Sequence, residues 1–460
     1  MAPRSCRSSR KALTRMPAEP TDVIVAVATG GRADALALLR FSGREVRAVL
    51  SALVRPMGTR PLVAGQAPRR VEVLANDTVI DDGLIWIGRA PQTYTGEPTA
   101  ELTVHGNPLV VDQILDAARQ AGARLAEPGE FTRRAVVHGK MDLVQAEAVL
   151  QVAEARSSRG LQLARQALQG ELSREFEQMR EPLLDVAAEL EARLDLGHDD
   201  LVMMDDQAVC ACILDAEEQC LAAARTHRAA HAWVHGARVA LVGPVNAGKS
   251  SLFNALLGRR RALVHESAGT TRDVLEQSTV LDGLPVTLLD TAGDRHTTDP
   301  VEQAGLALAG QLIEDADLWL WVSPVEGPEV PAPWAERMAH RPHLKIANGV
   351  DRAEPDVDVD WLVVSAQRGD GLAELRGAIR QAVAGDSLAN RSAVASRRQA
   401  DALVRAAQWL AEARHALGDA GPAVAAQSMT EALVCIDSLV GIDTREEVLS
   451  RLFQRFCIGK

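Results

Sequence analysis

The chain has 460 residues, of which 47% are hydrophobic and 3% aromatic, and its formal net charge is −12. At about 150 residues per domain this length predicts roughly three domains, with cores built mostly from Leu, Val and Ala. The negative charge argues against general electrostatic binding to nucleic acid, although a local basic surface remains compatible with it. No apolar run reaches the ~18 residues of a membrane span, so we expect no membrane partner.

The first eighteen residues contain five Lys or Arg and no acidic residue. Residues 1–20 are therefore interpreted as a disordered extension of a cytoplasmic protein, with Met16 as a candidate true start. A mitochondrial transit peptide is the alternative, because the stretch lacks the apolar region of a secretory signal. The six cysteines form no C-x-x-C pair, which favours a reducing compartment.

In residues 21–139, strand-like runs alternate with a helical stretch near 108–121. The runs are VIVAVA (23–28), LIWIG (84–88) and ELTV (101–104). This pattern predicts an α+β domain at the N-terminus.

The sequence pattern of the remaining chain predicts a helical domain that is interrupted by an inserted domain. Residues 140–236 are rich in helix-forming residues, 237–386 alternate strands and helices, and 387–460 return to amphipathic helix. An α/β domain inserted into an all-α domain explains this order, because one helical core can be built from both flanks. His227, His231 and His235 have helical metal-site spacing, but without nearby carboxylate or cysteine partners we interpret them as a boundary face.

The stretch GPVNAGKSS (243–251) matches the P-loop pattern G-x-x-x-x-G-K-[ST], between a predicted strand and a predicted helix. Backbone N–H groups of such a loop surround phosphates at a helix N-terminus. Lys249 is expected to contact the β- and γ-phosphates, and Ser250 to bind Mg²⁺. The loop residues predicted to bind nucleotide are Asn246, Ala247, Gly248, Lys249, Ser250 and Ser251.

Two shorter motifs follow in the order expected of a small G domain. AGTTRD (268–273) offers a hydroxyl, that of Thr271, to complete the Mg²⁺ shell, and DTAG (290–293) ends the predicted strand VTLLD. Asp290 is then placed to reach the metal, and Gly293 to sense the γ-phosphate. The binding residues predicted from these motifs are Thr270, Thr271, Asp290, Thr291, Ala292 and Gly293.

The stretch KIANGVD (345–351) allows two interpretations. Asn-Gly is a common turn, yet the stretch also outlines a guanine-binding loop that lacks its usual lysine. It follows the predicted next-to-last strand, whose carboxyl end is where a base lies in this fold. Given the P-loop, we favour a guanine site that Gly349 weakens. Its predicted residues are Asn348, Asp351, Ser365 and Ala366.

Beyond these motifs the chain resembles the MnmE (TrmE) family of tRNA-modification GTPases from residue 22 to residue 460. LRFSG (39–43), YTGE (94–97), PGEFTRRAVVHGKMDLVQAEAV (128–149) and the terminal FCIGK (456–460) carry the resemblance, together with the GTP motifs. It implies an α/β G domain with a doubly wound sheet inserted in an all-α helical domain. An α+β N-terminal domain that binds folate and dimerises would precede them.

The resemblance also implies a reaction and its partners. Proteins of this family act with MnmG, an FAD protein, on C5 of the wobble uridine of certain tRNAs. Methylene-tetrahydrofolate donates the added carbon, and GTP hydrolysis with Mg²⁺ and K⁺ is required. A homodimer through the N-terminal domain, with paired G domains during hydrolysis, is implied as well.

Site residues are implied by the same resemblance. Folate contacts fall on Arg40, Glu101, Lys140 and Lys460, and potassium ligands on Asn246, His265, Ser267 and Thr270. Two candidate catalytic residues are Glu302, to position the attacking water, and Cys457, as a nucleophile. For Cys457 a packing role in the tail is the favoured alternative.

The chain departs from the family pattern at TGGRADAL, before the LRFSG motif, and at VHGNP (104–108). Both departures concern the shape of the folate pocket rather than its charged contacts. Two other functions remain open: a ribosome-assembly GTPase, disfavoured by the single P-loop, and a scaffold with an impaired GTP cycle, suggested by Gly349.

Overall fold

The computed structural model describes residues 22–29, 35–195, 204–258, 275–290, 311–353, 357–385, 392–442, 456 and 459. The chain divides into two compact units. The first comprises Met1–Ala146 and Asp437–Lys460, and the second comprises Glu147–Ile436. The C-terminal end of the chain therefore belongs to the same unit as the N-terminal domain.

Seven strands form the sheet of the first unit. They are β1 (Val23–Val27), β2 (Leu36–Ser42), β3 (Val54–Pro56), β4 (Arg69–Ala75), β5 (Thr78–Gly88), β6 (Thr99–His105) and β7 (Ala123–Leu125). Their order is β3-β4-β5-β6-β2-β1-β7. The β1–β7 pair is parallel and the other neighbours are antiparallel. The three predicted strands are confirmed within this larger sheet.

Three helices accompany this sheet: α1 (Val46–Leu53), α2 (Pro108–Gln120) and α3 (Glu130–Val137). The start of α2 is fixed locally, because the side chain of Asn107 accepts a hydrogen bond from Leu109 N and Pro108 occupies the first turn. The apolar faces of α1 and α2 join those of the strands in one core that includes the fully buried Leu39 and Phe41. This core holds β2 and β6 in register.

Five helices then follow along the chain: α4 (Leu143–Glu154), α5 (Ser158–Leu168), α6 (Glu171–Asp195), α7 (Asp206–Arg225) and α8 (His227–His235). The three histidine rings of α8 lie in a row, with centroids 5.7 and 4.7 Å apart. His227 Nδ1 lies 3.2 Å from the carbonyl oxygen of Val394, and burial lowers the pKa of His227. His235 Nδ1 lies 3.3 Å from Glu154 Oε2, so the expected lack of a nearby carboxylate was wrong, although the partly exposed row still fits a solvated or boundary face.

The inserted domain contains six strands and three described helices. They are β8 (Ala237–Val242), α9 (Lys249–Leu257), β9 (Leu275–Leu281), β10 (Leu284–Asp290), β11 (Leu318–Pro324), α10 (Ala332–Ala339), β12 (His343–Asn348), β13 (Trp361–Val364) and α11 (Leu372–Ala384). The strand order is β13-β12-β11-β8-β10-β9. Only β9 runs antiparallel to its neighbour among these pairs. The predicted doubly wound sheet is thus confirmed.

Two tryptophans of β11 lie in a core that Trp334 and Trp361 also contact. Trp319 and Trp321 are buried, and their indole N–H groups donate to the carbonyl oxygens of Ile313 (2.8 Å) and Glu329 (2.9 Å). Burial of an indole is favourable when its N–H finds an acceptor. These residues stabilise the central strand of the sheet that carries the P-loop.

Two long helices complete the helical domain, α12 (Arg397–Asp419) and α13 (Pro422–Val440). In the second unit α12 packs along α7, so helices from both flanks of the insertion share one core, as predicted. Among the described residues α13 alone is long and apolar enough to cross a bilayer by length and composition. Because 44% of that stretch is buried inside the protein, it also fits a core helix.

Candidate functional site

The P-loop lies between β8 and α9 and requires glycine at two positions. Gly243 has φ +142° and Gly248 has φ +86°. A Cβ atom would come within 2.1 Å of the Val322 carbonyl oxygen at Gly243, and within 2.2 Å of Asn348 Nδ2 at Gly248. Asn246 also has positive φ (65°), a conformation that Asn tolerates better than most residues. The loop conformation follows from these local constraints.

The side chain of Lys249 lies inside the P-loop rather than in solvent. It is 7% exposed, and its Nζ donates to the carbonyl oxygens of Gly243 (2.9 Å) and Pro244 (2.8 Å). The loop thereby holds the ammonium group next to its own backbone N–H groups. A phosphate oxygen can replace one of these carbonyls at little cost, because the charge is already in position.

Asp290 lies at the end of β10, the strand paired with β8. It is 1% exposed, and neither of its carboxylate oxygens has a hydrogen-bond partner among the described residues. A buried carboxylate without donors is unfavourable unless a cation compensates it. Together with the hydroxyl of Ser250 in the first turn of α9, this oxygen donor set fits Mg²⁺, which prefers hard oxygen ligands.

Asn348, the last residue of β12, connects the P-loop to the loop that follows β13. Its Nδ2 donates to the carbonyl oxygen of Ala247 (3.1 Å), and its Oδ1 accepts from the backbone N–H of Ala366 (3.1 Å). The first hydrogen bond is buried and the second is partly buried, and Asn348 is 5% exposed. The stretch 345–351 is thus more than an Asn-Gly turn, because its asparagine organises two loops.

The carboxylate of Asp351 is oriented by a hydrogen bond from the loop that follows β13. Ser365 Oγ donates to Asp351 Oδ1 over 2.6 Å, and this hydrogen bond holds the pKa of the Asp351 carboxyl below its ordinary value. The ionised carboxylate is an acceptor only, and it matches the two donors of the guanine edge. The structure therefore brings together Asn348, Asp351, Ser365 and Ala366.

In the N-terminal domain, Arg40 and Glu101 lie opposite each other on β2 and β6. Arg40 Nη2 is 2.9 Å from Glu101 Oε1, and the guanidinium carbon lies 5.8 Å from the ring centres of Tyr94 and Phe131. Arg40 Nη1 also donates to the carbonyl oxygen of Gly459 (3.3 Å). Two of the four expected folate contacts thus meet each other and the FCIGK tail.

The glycine of that tail fits tightly against β1. Gly459 has φ +96°, and a Cβ atom there would lie 2.5 Å from the carbonyl oxygen of Val27. Phe456 is 4% exposed. Lys140, another expected folate contact, donates from Nζ to the carbonyl oxygen of Pro91 (2.9 Å). The tail and the expected folate contacts Arg40, Glu101 and Lys140 therefore lie in one unit.

Residues 23–140 match the family described as "GTP-binding protein TrmE N-terminus", and residues 143–457 match "MnmE helical domain". A Thermus thermophilus protein, "tRNA modification GTPase MnmE", is 38% identical over 443 residues, covering 95% of this chain and 99% of that protein. The chain belongs to the MnmE family. The MnmE of Synechococcus sp. is 36% identical over 448 residues, covering 95% of this chain and 98% of that protein.

A solved structure, the G domain of the T. maritima FeoB iron transporter, matches a smaller part of the chain. It covers 32% of this chain and 98% of that domain at 26% identity, with a TM-score of 0.26. A score this low carries no argument about function.

Arg134 and Glu130, in the stretch 128–149, belong to a charge network that was not predicted from the sequence. The side chain of Arg134 is 2% exposed and pairs with Asp22 (2.8 Å), Glu97 (3.2 Å) and Glu130 (2.9 Å). Burial alone would raise the pKa of Glu130, but hydrogen bonds led by that from Arg124 hold it below its ordinary value. In the sequence, the members of this network are only charged residues, several of them in family motifs. Such residues fit ligand contacts as well as they fit internal ion pairs.

Several predicted site residues lie outside the described part of the chain. They are Thr270, Thr271, Thr291, Ala292, Gly293, Glu302, His265, Ser267, Cys457 and Lys460. Their predicted roles stay predictions.

Proposed function

We propose that this chain is a GTP hydrolase that acts in tRNA modification. The observation that carries the proposal is its near-full-length similarity to MnmE proteins, which are named tRNA modification GTPases. The geometry supports it, because Asp290 and Asn348 end the parallel strands β10 and β12, and Lys249 begins the helix that follows β8. That edge is where nucleotides bind in doubly wound sheets.

Hydrolysis transfers the γ-phosphoryl group of GTP to water, and negative charge spreads over its oxygens in the transition state. Lys249 supplies one fixed positive charge at the phosphates. Ser250, Asp290 and Thr271 would hold Mg²⁺, which neutralises the phosphate oxygens when bound. Glu302 would orient the attacking water, and Glu302→Ala is then expected to bind GTP yet lose most turnover.

Hydrolysis is further proposed to depend on K⁺ and on pairing of two G domains. Asn246, exposed in the P-loop, would be one potassium ligand, with His265, Ser267 and Thr270 as the others. A cation at this position replaces an arginine finger, which contributes ~10³–10⁵ in rate. Turnover should therefore be much faster in K⁺ than in Na⁺.

The matched variant is Asn246→Gly, because glycine accepts the positive φ of this position but lacks the side-chain oxygen. It should keep its GDP affinity and lose the difference between K⁺ and Na⁺. Equal turnover of the unaltered protein in both salts would overturn the potassium proposal. A turnover near zero in both, with GDP bound, would support the scaffold with an impaired GTP cycle instead.

The modification itself is proposed to use methylene-tetrahydrofolate as one-carbon donor and an MnmG-type FAD protein as partner, in the cytoplasm. Arg40, Glu101, Lys140 and Lys460 would bind the folate, since an Arg and a carboxylate suit its charged tail and its donor edge. A homodimer through the N-terminal domain would present two such sites. Binding of a folate derivative by the unaltered protein but not by Arg40→Ala tests this proposal.

Cys457 stays a candidate nucleophile toward the uridine, with packing of the tail as the favoured alternative. Cys457→Ser distinguishes the two roles in a tRNA modification assay with the flavoprotein present. Loss of modification with folate and GTP binding intact would support a chemical role, and unchanged modification would support packing.

A further inference from the structure

Gly349, the second residue of the base-binding loop, has a neighbour in the space where its side chain would be. Its φ is +107°, and a Cβ atom built there would lie 2.4 Å from Nη2, 2.8 Å from Nε and 3.0 Å from Cζ of Arg352. The guanidinium group of Arg352 therefore covers the backbone of Gly349. Both residues belong to one short turn between β12 and β13.

Backbone hydrogen bonds fix this turn. The N–H of Gly349 donates to the carbonyl oxygen of Val364 (2.8 Å), and the N–H of Arg352 donates to the carbonyl oxygen of Gly349 (2.8 Å). Glu326 Oε1 lies 3.7 Å from Arg352 Nε, and both side chains are about half exposed. An exposed pair of this kind contributes little stability, but it restricts the directions that the guanidinium can take.

The base-binding residues on either side of Gly349 determine which part of the base faces it. Asn348 and Asp351 flank the glycine, and Asp351 accepts from the donor edge of guanine. In the proposed complex, a planar base held at that edge would present one face to the backbone at 349, where the chain carries no side chain. A planar, weakly hydrated guanidinium is well suited to stack on such a face.

We propose that Arg352 covers the face of the guanine base that Gly349 leaves bare, and so acts as the stacking residue of this nucleotide site. The inference rests on the proposed GTP-binding function and assigns a residue that the guanine motif itself does not include. The loop then has a cation over the base, and that cation is the guanidinium of Arg352 instead of a lysine at position 349. Glycine at 349 favours this arrangement, because a Cβ there would push the guanidinium aside and would itself be strained at a φ of +107°.

A stacking role for Arg352 predicts how nucleotide affinity and the dissociation rate should change when the guanidinium is removed. Cation–π contacts at partly exposed sites correspond to about a 2–30-fold change in affinity. The change should appear in the dissociation rate, because a contact made only in the complex slows release. It should also be equal for GDP and inosine diphosphate, because stacking does not read the amino group that Asp351 recognises.

The experiment measures dissociation of GDP and inosine diphosphate from the full-length protein, for wild type, Arg352→Ala and Arg352→Lys. Arg238→Ala is the matched control, an exposed arginine at the opposite end of β8 from the P-loop. We expect Arg352→Ala to release both nucleotides about 2–30-fold faster. Arg352→Lys should fall between it and wild type, and Arg238→Ala should equal wild type. If Arg352→Ala does not fold, Arg352→Gln takes its place.

A second measurement tests the contact with Gly349. Gly349→Ala is compared in the wild-type and Arg352→Ala backgrounds, and its effect on GDP affinity should be smaller when the guanidinium is absent. Additive effects would overturn the proposed contact. Equal GDP release by wild type and Arg352→Ala would overturn the stacking role alone. A wild-type protein that binds GDP no better than ADP would instead overturn the proposed GTPase function.

Discussion

Glu130 of the N-terminal domain and Asp290 of the G domain are both 1% exposed, yet their surroundings are opposite. Glu130 accepts hydrogen bonds from Arg124, from Arg134 and from the backbone of Glu127. Asp290 has no donor among the described residues. Donors within the chain stabilise the carboxylate of Glu130, whereas none of the described residues donates to the carboxylate of Asp290.

The difference separates two uses of buried charge. An ion pair saturated with hydrogen bonds fixes the positions of the segments that carry it, because removing one partner leaves the others uncompensated. A buried carboxylate without donors is tolerated where a bound cation supplies the missing interaction. Stability should therefore depend on Glu130, and catalysis on Asp290.

The largest expected effect comes from Asp290→Asn. The amide keeps the volume but is a poor magnesium ligand, so transition-state stabilisation of several kcal/mol is lost and GTP turnover should fall roughly 10²–10⁴-fold. Removing a charge without donors should leave the free energy of unfolding equal or higher. Turnover and urea unfolding of the nucleotide-free protein measure both. A protein destabilised by more than about 1 kcal/mol would show that Asp290 has internal partners.

The second variant, Glu130→Gln, should behave in the opposite way. It leaves Arg124 and Arg134 with less compensation, and breaking such a buried pair costs about 3–5 kcal/mol. GTP turnover of the folded protein should not change. Glu72→Gln is the control, since its pair with Arg55 is exposed and should contribute less than about 1 kcal/mol. Similar losses for the two variants would contradict the comparison.

Glu130 should also make the stability of the N-terminal domain depend on pH. Burial raises its pKa, but the hydrogen bonds led by Arg124 outweigh burial and hold the folded pKa below the ordinary 4.5. Its contribution to stability is therefore fully present above pH 4.5 and is lost as the pH falls through the folded pKa. Unfolding curves from about pH 7 to about pH 3 should show this loss for wild type and a weaker one for Glu130→Gln.

The smallest expected effect concerns the base-binding loop. Ser365→Ala removes the donor to Asp351 and the acceptor for the backbone N–H of Arg368. The hydrogen bond orients an exposed carboxylate, so GDP affinity should fall only about two- to fivefold. Ser278→Ala, on the edge strand β9, is a control with no expected effect. Calorimetric titration with GDP compares the two variants.

The nucleotide site was predictable because its constraints are local. The P-loop follows the apolar run VALV of β8, and the glycines of the P-loop and of the Asn348 loop occupy backbone conformations that other residues rarely adopt. Sequence order alone therefore places these residues at one edge of a sheet. The inserted arrangement was likewise predictable from the change in periodicity at both ends of the insertion.

The rest depends on contacts between distant positions. The strands β2 and β4 were missed because charged residues interrupt their apolar alternation, and these charges are satisfied across the sheet, as between Arg40 and Glu101. The network of Arg134 joins residues from three separate stretches. The proposed role of Arg352 could not be predicted from the sequence either, because it depends on a turn that brings the guanidinium over Gly349.

The hydrogen bond from Arg40 to the carbonyl oxygen of Gly459 joins residues 419 positions apart. A ribosome that adds roughly 5–20 residues per second needs about 20–85 seconds to synthesise the intervening chain. The N-terminal sheet can therefore fold long before this contact forms, because the contact needs Gly459. A product terminated before Gly459 could fold this sheet and would still lack the hydrogen bond to Arg40.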